Sequence, residues 1–395
     1  MANVSSSNGH EKYPKLRFKG FSEPWKAIRF GDIVDEYSDR TKEEDEDILL
    51  SAAIEGMFLN SELFDHQRGA SNKGYKKIDM GTLVLSTQNL HLGNANVNLR
   101  FEHGMVSPAY KTYHIHDCSI KLIAEWVKSE KAKRFFYDAT TVGASVCRRN
   151  VEWDTLYDQP LYLPSSVEQE CLATFLSALS SRIKKQTELV EHLKKYKRGV
   201  SNRFFNDKVV SNCPTVLPFG QAVMINPKTK SLPSEFIYID LESVESGKLL
   251  HENIISRDKA PSRAQRVLSK GDVLFQMVRP YQKNNFYFES ELTLPSVAST
   301  GYAQIRCNEN DPLFVYEQIS SDYFANQAML RSTGTGYPAI NADGLAQIPF
   351  IKLPIEEQQK TGKFLYLLSQ RIIQEECKLN SLLKVKTAIL QSLFI

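Results

Sequence analysis

Few residues in this chain have the types and spacing that chemistry requires. His114 and His116 in "HIH" stand two apart, which places both on one face of a strand. They read as a polar face rather than as a metal pair. "TGTG" at Thr333 to Gly336 is a fragment of a glycine-rich phosphate loop and reads as a flexible turn. "EEDED" within Lys42 to Asp47 lacks the glycine and the ligand spacing of a calcium loop, and reads as an acidic surface loop. There is no GxxxxGK[ST], no GxGxxG between a strand and a helix, no HExxH and no GxSxG. The six cysteines, Cys118, Cys147, Cys171, Cys213, Cys307 and Cys377, stand singly without a CxxC pair. They read as reduced, mostly buried thiols. No catalytic centre or metal site is legible, which turns the reading toward binding or scaffolding.

Composition sets the frame for those residues. A chain of 395 residues that is 42% hydrophobic, with 21 Phe and 17 Tyr, can bury more than one core. No apolar run reaches the roughly 18 to 20 residues that span a bilayer, and the first twenty residues lack the apolar centre of a secretory signal. A soluble, cytoplasmic protein without membrane contact is expected. The net charge of +3 is too small to identify a nucleic-acid partner in bulk, but its distribution is uneven. From Arg182 to Lys208 there are nine Lys or Arg against three Asp or Glu.

The elements that carry these residues occur twice. A shift of 189 lays "FGDIV" at Phe30 on "FGQAV" at Phe219, Glu168-Gln169 on Glu357-Gln358, Phe175-Leu176 on Phe364-Leu365, and Arg182-Ile183 on Arg371-Ile372. Shifts of 190 and 192 lay "MGTLVLS" from Met80 on "KGDVLFQ" from Lys270, and "VSPAY" ending at Tyr110 on "ASTGY" ending at Tyr302. The period is too long for a solenoid, so each copy is a globular part followed by a helical part.

The helical parts carry a seam of alternating steps of four and three. In the first copy it holds Leu172, Leu176, Leu179, Ile183, Gln186, Val190, Leu193, Lys197, Val200 and Phe204. In the second it holds Thr361, Leu365, Leu368, Ile372, Glu375, Leu379, Leu382, Lys386, Ile389 and Leu393. Such spacing is a coiled-coil seam, and its two matched polar steps, Gln186 with Glu375 and Lys197 with Lys386, are of the kind that fixes register. Each helix, at roughly 38 residues, would run about 57 Å. Ser165 with Glu168 forms an expected capping box at the start of the first helix; Ile355 leaves the second start weaker. The globular parts mix short strands ("GTLVLS", "GDVLFQMV", "YKTYHIH", "GYAQIRC") with helical spacing in "SIKLIAEWVKSEKAKRFFYDA" and "PLFVYEQISSDYFANQAML", and each ends in a loop, "TTVGAS" or "STGTGYPAI". The expected fold is mixed α/β (α+β), with two tandem globular domains and two long helices. The expected boundaries are 1–162, a helix at 163–206, a second globular part at 207–352 and a second helix at 353–395.

This arrangement resembles the specificity subunit of type I restriction-modification systems. The resemblance rests on "LRFKGFSEPWKAIRFGDI" from Leu16, "KGDVLFQMVRPY" from Lys270, "SPAY" from Ser107 and the "LP..EQ" segments at Leu163 and Leu353, and it covers Tyr13 to Ile395. "GTLVLSTQNLHLGN" in the first copy departs from the more family-like "GDVLFQMVRPYQKN" of the second. The resemblance implies a non-catalytic subunit that reads DNA. Each globular part would be a target recognition domain for one half of a split target, and the helices would pack antiparallel in pseudo-twofold symmetry to set the spacer. It also implies methyltransferase subunits, two in number, on the helical region, and restriction subunits that translocate DNA. S-adenosylmethionine, ATP and magnesium would belong to those partners, with no cofactor on this chain.

Arg, Gln and Asn side chains can bond guanine or adenine in two places at once. The DNA-reading candidates lie after the glycine-initiated strands: Gln88, Asn89, His91, Asn94 and Asn96 in the first copy, and Gln276, Arg279, Tyr281, Gln282, Lys283, Asn284 and Asn285 in the second, with Arg257, Lys259, Arg263 and Arg266 upstream. The loops Thr141 to Ser145 and Ser332 to Tyr337, with Thr333 and Thr335, would offer backbone N–H groups to phosphates. Two other readings stay open from the residues: a stand-alone DNA-binding regulator, and an enzyme with an unrecognised nuclease centre.

Overall fold

The computed structural model describes residues 12–64, 71–145, 148–206, 209, 215–228, 231–289 and 293–395. By contact the chain divides into two units: residues 1–187 with 378–395, and residues 188–377. Each unit owns a globular part and a stretch of both long helices.

In the first unit the central sheet is antiparallel, in the order Val34–Tyr37, Tyr110–Ile115, Leu83–Ser86, Ala95–Val97. All four residues of Leu83–Ser86 are buried, and the two-residue period of a strand sends them to opposite faces. Leu83 and Leu85 enter the main core with Phe30, Tyr113, Trp126 and Phe136, while Val84 joins a smaller core with Leu50, Met57, Ile78 and Val106. The helical run after His116 is two helices, Ile120–Trp126 and Glu130–Asp138, because Ser129 caps the second by accepting the Ala132 N–H. "TTVGAS", expected as a loop, is instead the strand Thr140–Ser145, paired with Arg148–Val151. Its β-branched residues suit a pleated edge, and the register slips between Val142 and Ser145, across Gly143.

The second unit repeats the central sheet in the same order: Met224–Ile225, Tyr302–Arg306, Val273–Gln276, Phe286–Tyr287. Val273 and Phe275 face the main core with Phe219, Phe314, Phe324 and Phe350; Leu274 faces a second core with Ile237, Phe288 and Tyr302. The two units differ beyond that second face. Here a four-stranded sheet runs Asn253–Ser256, Glu235–Ile239, Ser296–Ser299, Ala264–Val267, with its central pair parallel; among the described residues the first unit has there the hairpin Leu50–Ala53 with Gly56–Leu59 and the pair Lys76–Asp79 with His103–Val106.

The repeated "FG" has a steric cause. A Cβ on Gly31 would stand 2.9 Å from the Tyr157 Cβ, and one on Gly220 would stand 2.8 Å from the Ala346 Cβ. In both units a short helix crosses this point closely enough to exclude any side chain. The flanking strands also close alike, Lys26–Arg29 with Pro160–Leu163 and Val216–Pro218 with Pro349–Ile351.

The long helices run Ser166–Phe204 and Ile355–Leu393. Every expected seam position on both is buried or half-buried. Within the first unit Leu172 and Leu176 share a core with Leu390, Leu393 and Phe394, so the start of one helix meets the end of the other. Within the second, Val200, Phe204 and Phe205 meet Leu365 and Tyr366, and Lys194 pairs with Glu376 at 3.0 Å. The packing is antiparallel in each. Gln186 and Glu375 are both buried, and Glu375 takes Arg371 at 2.7 Å.

The "EQ" at each helix start is a joint. Gln169 accepts the Ser119 N–H at 2.8 Å and donates to the Pro164 carbonyl at 3.0 Å. Gln358 accepts the Asp311 N–H at 3.0 Å and donates to the Leu353 carbonyl at 2.7 Å. Ser119 and Asp311 immediately precede the helices Ile120–Trp126 and Pro312–Ile319, so one side chain ties each of these helices to a long one. The expected capping box is only half present. Ser165 Oγ accepts the Glu168 N–H at 3.4 Å, but the Glu168 carboxylate is engaged by both arms of Arg17, at 2.7 and 2.8 Å.

Candidate nucleic-acid interface

In the second unit the loop from Met277 to Asn285 leaves the buried end of the central strand. Pro280 to Gln282 form a 3-10 turn, with Arg279 (φ 54°) and Lys283 (φ 54°) in the left-handed region on either side. That conformation costs a side-chain-bearing residue about 1–2 kcal/mol. It is held by the loop's own frame. Gln276 donates to Gln282 Oε1 at 2.8 Å and accepts the Asn284 N–H at 3.0 Å, while Asn285 Oδ1 accepts the Gln276 N–H at 2.9 Å and its amide donates to the Ile319 carbonyl. Asn284 Oδ1 in turn accepts the Ser246 N–H.

Part of the expected set belongs to this frame. Gln276 and Asn285 are buried and their polar groups are spent within the protein, so they shape the loop rather than present it. Arg279 and Tyr281 remain outward. The Arg279 N–H donates to the Pro338 carbonyl at 2.7 Å, and its guanidinium lies 4.3 Å from the centroid of Tyr337. Tyr337 is 70% exposed and Tyr281 52%. Thr333 and Thr335 are exposed beside them, although the Thr333 N–H is taken by the Ala339 carbonyl and is not offered to an anion. Arg263 reaches the same end, its carbonyl accepting the Thr300 N–H next to Gly301, whose carbonyl accepts the Met277 N–H. Arg266 lies on the neighbouring edge strand, where burial lowers its pKa. Arg257 and Lys259 occupy a separate exposed 3-10 turn anchored to Ser234.

Lys283 turns inward to an ion pair with Asp322, which also accepts Arg198 of the first long helix at 2.8 Å. Burial alone would raise the Asp322 carboxyl; the two cations more than offset it and hold the pKa below its ordinary value.

The first unit presents the equivalent loop, Thr87 to Asn94. Thr87 is clipped to the Ala109 carbonyl through both its N–H and its hydroxyl, and Gly93 closes the turn at φ 91°. Gln88 and Asn89 are exposed and His91 is half-buried. Asn94 and Asn96 are both buried, with their amides on the Ala52 and Ala53 carbonyls and Asn96 Oδ1 accepting Lys128, so these groups are engaged within the protein. Thr141 is exposed and its hydroxyl donates to Glu152. Ser145 lies in a strand, but its side chain is outside the described residues.

The structure also brings forward the Tyr337 ring, at the end of the Ser332 to Tyr337 loop, and two residues outside the expected set, Arg149 and Lys133. Arg149 lies 4.1 Å from the centroid of Tyr137 with two bonds to Thr140, and Lys133 lies across Gly93. The "RR" beside the "TTVGAS" run was the available signal for Arg149. Each unit thus carries an arginine over a tyrosine ring, Arg149 over Tyr137 and Arg279 over Tyr337. The Nε and one Nη of Arg149 are already spent on Thr140, so only its remaining N–H groups are left for a partner.

His114 stacks on Tyr37 at 3.9 Å, and His116 faces Asp117 and Asp35. Among the described residues no three His, Cys, Asp or Glu side chains are placed to hold a metal. Nor is any described helix long and apolar enough to cross a membrane. The thiols are less buried than expected: Cys171 and Cys377 are exposed. Cys118 and Cys307 are covered, burial pushing both up to about 12, and Cys147 and Cys213 lie outside the described residues.

No family model matches the chain. A curated relative, the type I restriction enzyme HindI specificity subunit of Haemophilus influenzae, is 27% identical over 165 residues, 40% of this chain. The chain spans about a third of the length of that relative, 35%. Among solved structures, the type I restriction-modification S subunit from M. genitalium aligns over 97% of this chain and 99% of its own, with a TM-score of 0.62 at 17% identity. A chain from a study of complex assembly and conformational transition in the type I R-M system aligns over 93% and 96%, with a TM-score of 0.51 at 15% identity. The chain therefore has the specificity-subunit fold, and the resemblance drawn from its motifs is matched by both a sequence relative and that fold.

Proposed function

We propose that this chain is the DNA-reading specificity subunit of a type I restriction-modification complex. Each globular part reads one half of a bipartite target, and the paired helices set the spacer. The observation that carries the reading is the duplicated central sheet. Both copies place at the same sheet end a loop of base-reading residue types, and each unit also holds an arginine over a tyrosine, Arg279 over Tyr337 and Arg149 over Tyr137. On this reading the chain is non-catalytic and cytoplasmic, binds double-stranded DNA, and scaffolds two methyltransferase subunits together with restriction subunits. S-adenosylmethionine, ATP and magnesium are bound by those partners.

The test is base-resolution mapping of modified sites in cells with and without the chain. A single bipartite motif that appears only with the chain is the expected result, and insertion of one heptad in the first long helix should alter the spacer or abolish modification while leaving both half-sites unchanged. Absence of a chain-dependent motif, with no methyltransferase subunit co-purifying, would instead favour a stand-alone DNA-binding regulator. Cleavage of DNA by the isolated chain with a divalent metal would overturn the non-catalytic assignment.

A further inference from the structure

Lys197 and Lys386 stand at equivalent steps of a mostly apolar seam, and both find a carboxylate from a globular part. In the first unit Lys386 lies 2.7 Å from Glu125 Oε2, and Ser180 Oγ donates to Glu125 Oε1 at 2.6 Å. In the second, Lys197 lies 2.9 Å from Glu317 Oε2, and Ser369 Oγ donates to Glu317 Oε1 at 2.9 Å. The parts correspond one to one. Glu125 and Glu317 are offset by 192, and Ser180 with Ser369, like Lys197 with Lys386, by 189. In each unit the serine comes from the long helix that follows that globular part, and the lysine from the other helix. The Glu317 side chain is 1% exposed and that of Glu125 13%.

We propose that Glu125 and Glu317 are positioning residues that seat each globular part at one height on its helix pair, and so fix how its reading loop meets DNA. This rests on the DNA-reading function proposed above. A heptad seam taken alone tolerates sliding, because a slip of seven residues, about 10 Å, restores most apolar contacts. A buried carboxylate does not tolerate it. Sliding removes the lysine and serine and leaves the charge without partners, so the lock selects one register out of several that the leucines allow. In the second unit the reading loop joins the same framework. Lys283 and Arg198 both pair with Asp322, one residue after the cap of the helix that follows Glu317's, so loop, globular part and long helix meet within a few residues.

The test uses the full chain with its methyltransferase partners and maps modified sites for E317K, K197E and the double exchange, alongside E317Q and E125Q, which keep volume and the serine hydrogen bond. Each single reversal is expected to lower modification at the native spacer about tenfold and to redistribute it to neighbouring spacer lengths, with both half-site sequences unchanged. The double exchange should restore the native spacer, and the Gln variants should show the same redistribution more weakly. Uniform loss at every spacer, or singles that match the wild type, would overturn the positioning role. If the wild type itself yields no chain-dependent motif, it is the DNA-reading assignment that fails, and with it the premise of the lock.

Discussion

Arg279 holds a left-handed backbone, a flat ring partner and a hydrogen bond from its N–H to Pro338, all in one loop. Strain of that kind persists where the surroundings over-determine it, and such positions cluster where a ligand is met. Replacing Arg279 by Ala is expected to cost about 1–3 kcal/mol of specific DNA affinity and to relax the preference at one base position. Competition binding with single-base variants of the mapped target checks this; a uniform loss across all sequences would mark Arg279 as a phosphate contact instead. Asp322 supplies a pH test. Its folded pKa is held below the ordinary 3.8 by Lys283 and Arg198, so its contribution to stability is present above the unfolded value and lost as pH falls through the depressed one. The difference in unfolding midpoint between wild type and Asp322→Asn should therefore be level from neutral pH down to about 5 and shrink below about 4. A difference unchanged at lower pH would mean that the pairs do not contribute through charge.

The long helices were legible in the sequence because a seam of fours and threes depends only on helical geometry, and every position it named is covered. The loops were legible only in part. Gln276, Asn285, Asn94 and Asn96 have the residue types that read bases, yet the same amides serve as well to satisfy buried carbonyls and N–H groups, and composition does not distinguish the two uses. Glu168 misled in the same way. Its place in a capping box was reasonable, but Arg17, 151 residues away in sequence, is a stronger partner than a backbone N–H. That pair fastens the N-terminal segment to the start of the first long helix, where Phe18 also meets Phe175 edge-on at 5.5 Å and the Leu16 N–H donates to the Ser392 carbonyl. Arg17→Ala leaves a 1%-exposed carboxylate without its charge partner and should cost about 3–5 kcal/mol, read as a shift of the denaturant midpoint. Adding Glu168→Gln to it should recover much of that loss. A double variant as unstable as the single would locate the effect in the lost arginine packing.

At the scale of the whole chain, a formal net charge of +3 over 395 residues gives no general attraction to DNA, so on the proposed function affinity has to come from local groups. Those groups sit in two units, each with its own main core and its own central sheet, and each with a lock to the helices made from its own residues. On the proposed function each half of the target depends on the side chains of its own unit. Replacing Arg279, Tyr281 and Tyr337 together by Ala is therefore expected to blur one half of the mapped target while the other half and the spacer stay as in the wild type. The mirror experiment, Gln88, Asn89 and Arg149 to Ala, should blur the opposite half. Base-resolution maps of the two triple variants, set against thermal unfolding to show that both chains remain folded, decide the matter. Loss of definition in both halves from either variant would mean that the chain reads its target as one continuous surface, and the duplicated architecture would then be a scaffold without a division of recognition.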